Sequence, residues 1–303
     1  MYNKTKKLAK KVLDNMLGTK EEFTDNDRIL VAKGILSQQM QLQSKNIQDY
    51  EFKVFSQFGD DGIIQFLTRK AKIINKCFIE FGVEDYSESN TRFLLMNNNW
   101  SGLVMDGSEE SVNKITKQPY FWKYDLRAIQ AFITKKNINA LLHEAGWEDI
   151  GLLSIDIDGN DYWIWQEIDI SKLRPTIVVL EYNSLFGGDK ALTIPYKEDF
   201  NRTTAHFSNL YWGASFRALV HLSESKEYVF VGCNTAGNNA YFVKKDRLND
   251  LHPASVKEGY VECKFRESRD EKGQLTLKRD KDRVAVIKNL PVFNTETNKE
   301  EKL

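Results

Sequence analysis

The chain has 303 residues, of which 41% are hydrophobic, and its 43 basic and 43 acidic side chains give a formal net charge of zero. This length suits one large α/β domain with extensions, or two small domains. The charge balance gives no global reason to bind nucleic acid or an acidic membrane, so we expect no nucleic-acid partner.

The cysteine and apolar patterns exclude further classes of protein. Cys77, Cys233 and Cys263 are an odd set without CxxC or Cys/His spacing, which argues against a disulfide framework and a structural zinc site. The Lys-rich amino terminus lacks the apolar core of a signal peptide, and no window approaches the roughly 18 apolar residues of a transmembrane helix. The sequence therefore predicts a cytoplasmic protein without a transmembrane segment.

Residues 1–50 are predicted to form a helical extension. Apolar residues fall at helical spacing in two stretches, at Leu8, Val12, Leu13 and Met16 and again at Ile29, Leu30 and Ile35. Such an extension either lies on the surface as a helix, which we favour, or caps the domain, or joins two copies in a homo-oligomer.

The next segments alternate between helices and strands. Asp60 or Asp61 is expected to cap a helix. Short apolar strands follow at residues 77–82 (CFIEFG) and 102–107 (GLVMDG), with the helical pattern ESNTRFLLMNNNW between them. Another helix is predicted over Leu126–Lys135 because three apolar residues there share one side.

The second half continues the alternation and ends in a hairpin. A strand is predicted at GLLSIDID, a helix around Tyr162–Ile168, a strand at Thr176–Asn183 and a helix over Tyr211–Ser225. YVFVGCN and NNAYFVKK then form two strands joined by the turn TAG.

This order predicts an α/β fold with a Rossmann-like, mostly parallel sheet and helices on both faces. Strands that alternate with helices form right-handed crossovers, and the closing hairpin makes the last strand antiparallel. A seven-stranded sheet of this kind is the layout of class I S-adenosylmethionine (SAM) methyltransferases. We assign it to residues 51–250. Residues 251–303 are predicted to be an extension with a hairpin and a disordered tail, NTETNKEEKL.

Ligands of open α/β sheets bind outside the carboxyl ends of the strands, so the residues at those ends are site candidates. The first strand ends at Glu80 and Gly82, and the GxGxxG loop that holds a dinucleotide pyrophosphate is absent. SAM has no phosphate and carries positive charge, so an acidic strand end suits it.

The second strand ends at Asp106, which is followed by Gly107. An acid at this position can accept hydrogen bonds from both ribose hydroxyls of an adenosyl group. The alternative is an Asp-Gly turn without a ligand. Asp125 is expected either to hold the adenine amino group or to cap the following helix, and the two roles are compatible.

Asp156 and Asp158 alternate with isoleucines in IDID, so both point to one side of the strand. Carboxylates there can position the SAM ammonium, anchor or deprotonate an acceptor hydroxyl, or hold a divalent metal. Two like charges in a dry core would require a cation. Asp161 is equally compatible with a functional role and with a helix cap.

The acceptor is expected at the end of the fifth strand. Glu181 and Asn183 follow that strand, and Tyr211 is assigned to the same side. His206 is a candidate general base because neutral imidazole titrates in the useful range.

The chain resembles the FkbM-like SAM-dependent methyltransferases found among bacterial polysaccharide and natural-product genes. The resemblance covers about Glu51 to Lys245 and rests on FSQFGDDGIIQFL, FIEFGVEDYSESNTRFL, GLVMDGS, LLSIDIDGNDYWIWQEI, IVVLEYNSLFG, YWGASFRAL and VGCNTAGNNAYFV. It implies SAM contacts from Gln57, Asp61, Glu80, Gly82, Asp106 and Asp156. GVEDYSESN departs from the family's Gly-rich motif at Glu84 to Asn90.

The resemblance implies methylation of oxygen on a sugar or sugar-attached group, with a small-molecule or glycan acceptor and a role in bacterial surface polysaccharide biosynthesis. Asp158 is then the first candidate base, with His206 as the alternative, and a metal held by Asp156 and Asp158 would instead lower the hydroxyl pKa. The competing hypothesis is a metal-dependent glycosyltransferase that uses IDID as an Asp-x-Asp motif for a nucleotide sugar.

Overall fold

The computed structural model describes residues 24–303. The first described helix, α1 (Asp25–Gln39), begins with a capping box, because the Thr24 hydroxyl accepts the Asp27 N–H and the Asp27 carboxylate accepts the Thr24 N–H. The chain divides into two units at residues 42 and 43. The helix predicted near Lys6–Met16 lies outside the described residues.

The second unit contains a seven-stranded sheet in the order β3-β2-β1-β4-β5-β8-β7. Neighbouring strands are parallel from β3 to β5, and β8 is antiparallel to both β5 and β7. This arrangement confirms the predicted fold class. The strands are β1 (Cys77–Phe81), β2 (Ser101–Asp106), β3 (Leu126–Gln130), β4 (Asp149–Ile155), β5 (Arg174–Glu181), β7 (Tyr228–Cys233) and β8 (Asn239–Lys244).

The described part of this unit contains ten α-helices. They are α2 (Asp60–Lys70), α3 (Arg92–Asn98), α4 (Glu109–Thr116), α5 (Pro119–Lys123), α6 (Ile138–Glu144), α7 (Asp161–Glu167), α8 (Arg202–Ala205), α9 (Phe216–Ser225), α10 (Val256–Gly259) and α11 (Asp280–Ile287). Helices α2, α3 and α4 contribute to one hydrophobic layer, and α6, α7 and α9 contribute to the other.

Strand β1 shows why the central strands are almost entirely apolar. Ile79 and Phe81 belong to one hydrophobic layer and Phe78 to the other, because successive side chains point to opposite faces. All five residues of β1 are buried. A strand that is covered on both faces therefore has a continuous apolar sequence with Glu80 as its acidic exception.

The helix predicted over Leu126–Lys135 is wrong. Leu126–Gln130 is strand β3, which pairs with β2 from Gly102 to Asp106. A short apolar run fits a strand and a helix equally well, and pairing with an available sheet edge decides between them. The helix that follows β3 is α6.

Two predicted helix starts are also wrong. Helix α2 has Gly59 as its N-cap, so Asp60 and Asp61 lie within the first turn. Helix α9 begins at Phe216 after Ser215, whose hydroxyl accepts the Ala218 N–H, so the preceding residues from Tyr211 are not helical.

The carboxyl terminus is ordered in a second, three-stranded sheet, which corrects the predicted disordered tail. Strands β9 (Pro291–Asn294) and β10 (Lys299–Lys302) form a hairpin, and β9 also pairs with β6 (Leu192–Thr193). Val292 is fully buried, and Phe293 packs 5.2 Å from the ring of Trp163. Apolar residues before the polar tail therefore supply enough burial to order it.

A single bridge between Arg269 and Leu275 closes a turn within the segment predicted as a hairpin. Within residues 24–303, no helix combines the length and apolar character needed to cross a membrane.

Candidate active site

A cleft with two lobes lies at the carboxyl edge of the sheet. The large lobe has a volume of about 440 Å³ and the small lobe about 250 Å³. Both lobes are lined by Gly82, Glu84, Asp156, Asp158 and Arg202. Of the other predicted site residues, Gln57, Glu80 and Glu181 line the large lobe, and Asp106 and Gly107 line the small lobe.

Gly82 forms the tight turn after β1. Its φ is +68°, and a Cβ there would overlap the carbonyl oxygen of Asp156. A glycine at a strand end lets the backbone approach a ligand closely. The structure adds a stronger requirement, because the neighbouring β4 chain itself needs the space.

Glu80 holds the loop between β1 and α3. Its carboxylate accepts hydrogen bonds from the Ser89 hydroxyl at 2.6 Å, the Asn90 N–H at 2.8 Å and the Thr91 N–H at 3.2 Å. Burial raises its pKa. Because two of these donors, Ser89 and Asn90, belong to GVEDYSESN, this carboxylate sets the path of the loop that lacks the Gly-rich motif.

Asp106 lies at the end of β2 and lines the small lobe. One of its carboxylate oxygens accepts the Glu84 N–H at 2.8 Å, and the other accepts the Ser108 N–H at 2.8 Å. The lining of this lobe also includes the apolar residues Phe132 and Ile133, which follow β3. The small lobe therefore combines a carboxylate with an apolar surface.

Asp161 positions the acidic loop after β4. Its carboxylate accepts the Ile157 N–H at 2.8 Å and the Gly159 N–H at 2.9 Å. Burial raises the pKa of Asp161 to about 6. These bonds hold Asp158 in a left-handed conformation, with a φ of +54°, and its side chain remains 56% exposed.

Three carboxylates converge at the ends of β4 and β5. One oxygen from each of Asp156, Asp158 and Glu181 lies within 4.8 Å of the other two. Burial and then the charge of Asp158 raise the pKa of Asp156 well above its ordinary value. Burial and then Asp156 do the same for Glu181. Among the described residues, this cluster can hold a metal ion.

Arg202 supplies the positive charge nearest these acids, and the sequence analysis did not identify it. It donates to Asp158 at 2.6 Å and to Glu267 at 3.0 Å, and its guanidinium lies 4.7 Å from the ring of Trp212. Trp212, Phe265 and Glu267 also line the large lobe. Phe265 stacks on Phe58 at 5.8 Å.

Two predicted cofactor residues lie away from the cleft lining. Asp125 precedes β3 and is therefore at the amino edge of the sheet, so neither the adenine role nor the helix-cap role applies. Asp61 is buried, and one of its oxygens accepts the N–H groups of Val54, Phe55 and Ser56 at 2.7 to 2.8 Å. It shapes the segment that carries Gln57.

Three predicted acceptor-side residues also lie outside the lining of both lobes. The Asn183 amide donates to the carbonyl oxygens of Leu210 and Trp212 at 3.0 Å and thereby anchors that loop. The Tyr211 hydroxyl donates to the Pro291 carbonyl. His206 packs its ring on Phe207 and pairs its Nδ1 with the Ser208 hydroxyl at 2.8 Å.

Sequence comparison yields no similar protein of known function. No protein-family model matches the chain, and no curated protein matches it in sequence.

Comparison with solved structures finds distant similarities. TrmK of M. capricolum with bound S-adenosylhomocysteine is 10% identical, with 65% of this chain and 74% of that chain covered and a TM-score of 0.38. The amino-terminal domain of EvdMO1 with S-adenosylhomocysteine is 10% identical, with coverages of 70% and 94% and a TM-score of 0.38. A SAM-dependent methyltransferase from Aquifex aeolicus is 8% identical, with coverages of 74% and 100% and a TM-score of 0.34.

Proposed function

We propose that this protein is an FkbM-like, SAM-dependent O-methyltransferase that acts on a sugar or sugar-attached group in bacterial surface polysaccharide biosynthesis. The observation that carries the proposal is the placement of Asp106 at the end of β2, in the small lobe, whose lining also includes apolar residues. The strand order of the sheet supports it because the order is that of class I methyltransferases.

The small lobe has the chemistry that an adenosyl group needs. An ionised carboxylate has about four lone-pair positions, and backbone N–H groups use two of those of Asp106. The remaining positions suit two ribose hydroxyls. Phe132 and Ile133 offer apolar surface for the adenine ring. An adenosyl group therefore fits the small lobe.

The large lobe has the chemistry that the rest of SAM and an acceptor need. Its acidic residues suit the positive charges of the sulfonium and ammonium groups. Trp212 and Phe265 provide aromatic surface beside these acids, as expected for a site that binds the apolar face of a sugar and its hydroxyls. When bound, SAM supplies an electrophilic methyl group.

The contribution of the chain is alignment and proton transfer. Gly82, Glu84 and Asp158 line both lobes, so they form the passage between donor and acceptor. Asp158 is exposed to the cleft and is oriented by Arg202, and we assign it as the acceptor of the hydroxyl proton. Asp156 is the second candidate.

The donor assignment is tested by calorimetry with SAM on the wild-type chain, Asp106→Ala and Asp125→Ala. Loss of hydrogen bonds to a charged group costs about 1.5–3 kcal/mol, so Asp106→Ala should weaken SAM binding by about tenfold to a hundredfold. Asp125→Ala is the matched control and should bind SAM normally, because Asp125 lies at the amino edge.

Undiminished SAM affinity in Asp106→Ala would remove the ribose assignment. Failure of the wild-type chain to bind SAM, together with binding of a nucleotide sugar and manganese, would favour a glycosyltransferase. Acceptors are then tested with methyl-labelled SAM, nucleotide sugars and glycan fragments. Label on nitrogen or carbon of the product would contradict O-methylation.

A further inference from the structure

The three carboxylates at the floor of the large lobe are brought together by the fold itself. Strands β4 and β5 are parallel neighbours, with Ile155 opposite Leu180. Asp156 and Glu181 are the next residues along each strand, so their side chains leave the sheet side by side. The loop held by Asp161 then turns Asp158 toward the same point.

The cleft lining contains fewer basic side chains than this cluster contains carboxylates. Arg202 is the only lysine or arginine among the described residues that line the two lobes. It forms ion pairs with Asp158 and Glu267, and among the described residues neither Asp156 nor Glu181 has an ion pair of its own. Uncompensated carboxylates in a partly dry site are costly, and a cation removes that cost.

The burial and hydrogen bonding of Glu181 are a second observation that indicates a ligand. Its side chain is more than nine-tenths buried, with 7% exposure, and it lines the large lobe. One oxygen lies 3.5 Å from the Asn238 amide nitrogen. The other oxygen is buried and has no hydrogen-bond partner among the described residues. A buried carboxylate oxygen of this kind is rare unless an ion, a water or a proton satisfies it.

We propose that Asp156, Asp158 and Glu181 bind a divalent cation at the floor of the large lobe. The donors are hard carboxylate oxygens without histidine or cysteine, which suits Mg²⁺, Mn²⁺ or Ca²⁺. Oxygens on opposite sides of such an ion are about 4–5 Å apart, and the three oxygens lie within 4.8 Å of one another. The three oxygens are therefore close enough for their side chains to contact one ion.

The role of the ion rests on the proposed function. A cation here faces the lobe assigned to the acceptor, where it would lower the pKa of a coordinated hydroxyl. In that case Asp158 holds the ion and does not act as the proton acceptor. The alternative is a proton shared between Asp156 and Glu181. We favour the metal because the third carboxylate, Asp158, meets the other two at the same point.

Metal binding is tested with Mn²⁺ on the full chain after treatment with EDTA. Bound Mn²⁺ loses the six-line electron paramagnetic resonance signal of the free ion, so the readout does not depend on activity. We expect one Mn²⁺ per chain, displaced by Mg²⁺, and at least a tenfold loss of affinity in Glu181→Gln and in Asp156→Asn.

Glu88→Gln is the matched control. Glu88 lines the same lobe but pairs with Lys53 at 3.1 Å and is absent from the cluster, so Mn²⁺ affinity should not change. Circular dichroism in EDTA checks that each variant is folded. The proposal is overturned if the wild-type chain binds no Mn²⁺ at millimolar concentration, or if Glu181→Gln binds it as tightly as the wild type.

SAM affinity measured in EDTA separates this proposal from the proposed function. SAM binding that depends on Asp106, without any Mn²⁺ binding, would remove the metal site alone. Mn²⁺ binding without SAM binding would remove the methyltransferase proposal alone.

Discussion

The two ends of strand β4 carry acids in opposite electrostatic settings. At the amino end, Asp149 receives hydrogen bonds from Arg174, with an Nη2 to Oδ2 distance of 2.8 Å, and from Arg247. Arg174 first, and then Arg247, lowers the pKa of Asp149 to about 2. Arg247 is itself fixed by the Arg174 carbonyl and the Thr176 hydroxyl.

At the carboxyl end, Asp156 lies beside Asp158 and Glu181, and Arg202 is the only basic residue among the described lining of the cleft. An acid between two arginines contributes to stability. Acids gathered without enough counter-charge reduce stability and are retained where a ligand needs them. The contrast supports the proposal that the ligand site lies at the carboxyl edge of the sheet, whereas the ion pairs at the amino edge contribute to stability.

Glycine substitutions are expected to give the largest difference between the two edges in the free energy of unfolding. Gly82→Ala should destabilise the protein by more than about 3 kcal/mol, because the new methyl group overlaps backbone of β4 in addition to the strain of positive φ. Gly146→Ala, at the amino edge, has a φ of +71° but open space around it, and should cost about 1–2 kcal/mol. Denaturant unfolding of both variants measures the difference. Equal losses would contradict the close approach of β1 and β4.

Asp149→Asn should destabilise the protein at pH 7 by about 1–2 kcal/mol, allowing for solvent screening of partly exposed partners. The folded pKa of about 2 is below the ordinary value of 3.8 for this side chain. The stabilisation is therefore complete above pH 4 and is lost as the pH falls toward 2. Unfolding curves at several pH values test this, and a difference between the two proteins that stays constant with pH would contradict it. SAM affinity should not change.

The smallest expected change in the free energy of unfolding is a gain in stability, whereas the substitutions above cause losses. In EDTA, Asp156→Asn should leave stability unchanged or raise it by up to about 1 kcal/mol, because burial and the neighbouring acids disfavour the ionised form of the Asp156 carboxyl group. The same denaturant measurements apply, with Asp149→Asn as the matched substitution on the same strand. A loss of stability like that of Asp149→Asn would show that Asp156 is compensated in the folded protein.

The strand-end candidates could be predicted because they depend on a general property of the fold. Glu80, Asp106, Asp156 and Glu181 each end a parallel strand, and such ends meet at one edge whatever the loops do. The prediction for Asp125 failed because the strand that follows it was not recognised. Once Leu126–Gln130 was taken for a helix, the amino end of β3 could not be recognised.

The predictions for loop residues failed where contacts are long-range. His206 was predicted as the alternative general base on chemical grounds, but Arg202, four positions earlier, is the residue of this loop that contacts the acids. A polar loop that contains both residues gives no local signal for which one points inward. Phe265 and Glu267 reach the cleft from a segment that was predicted to be a separate extension.

The sequence by itself determined most of the alternation of strands and helices and the acidic character of one sheet edge, because both follow from local periodicity and chain direction. It did not distinguish β3 from a helix. Only the tertiary structure decided which acids are neutralised. Arg247 lies 98 positions from Asp149, and Arg202 lies 44 positions from Asp158. Such pairs depend on where the loops bring distant side chains, and that is set by the packing of the whole domain.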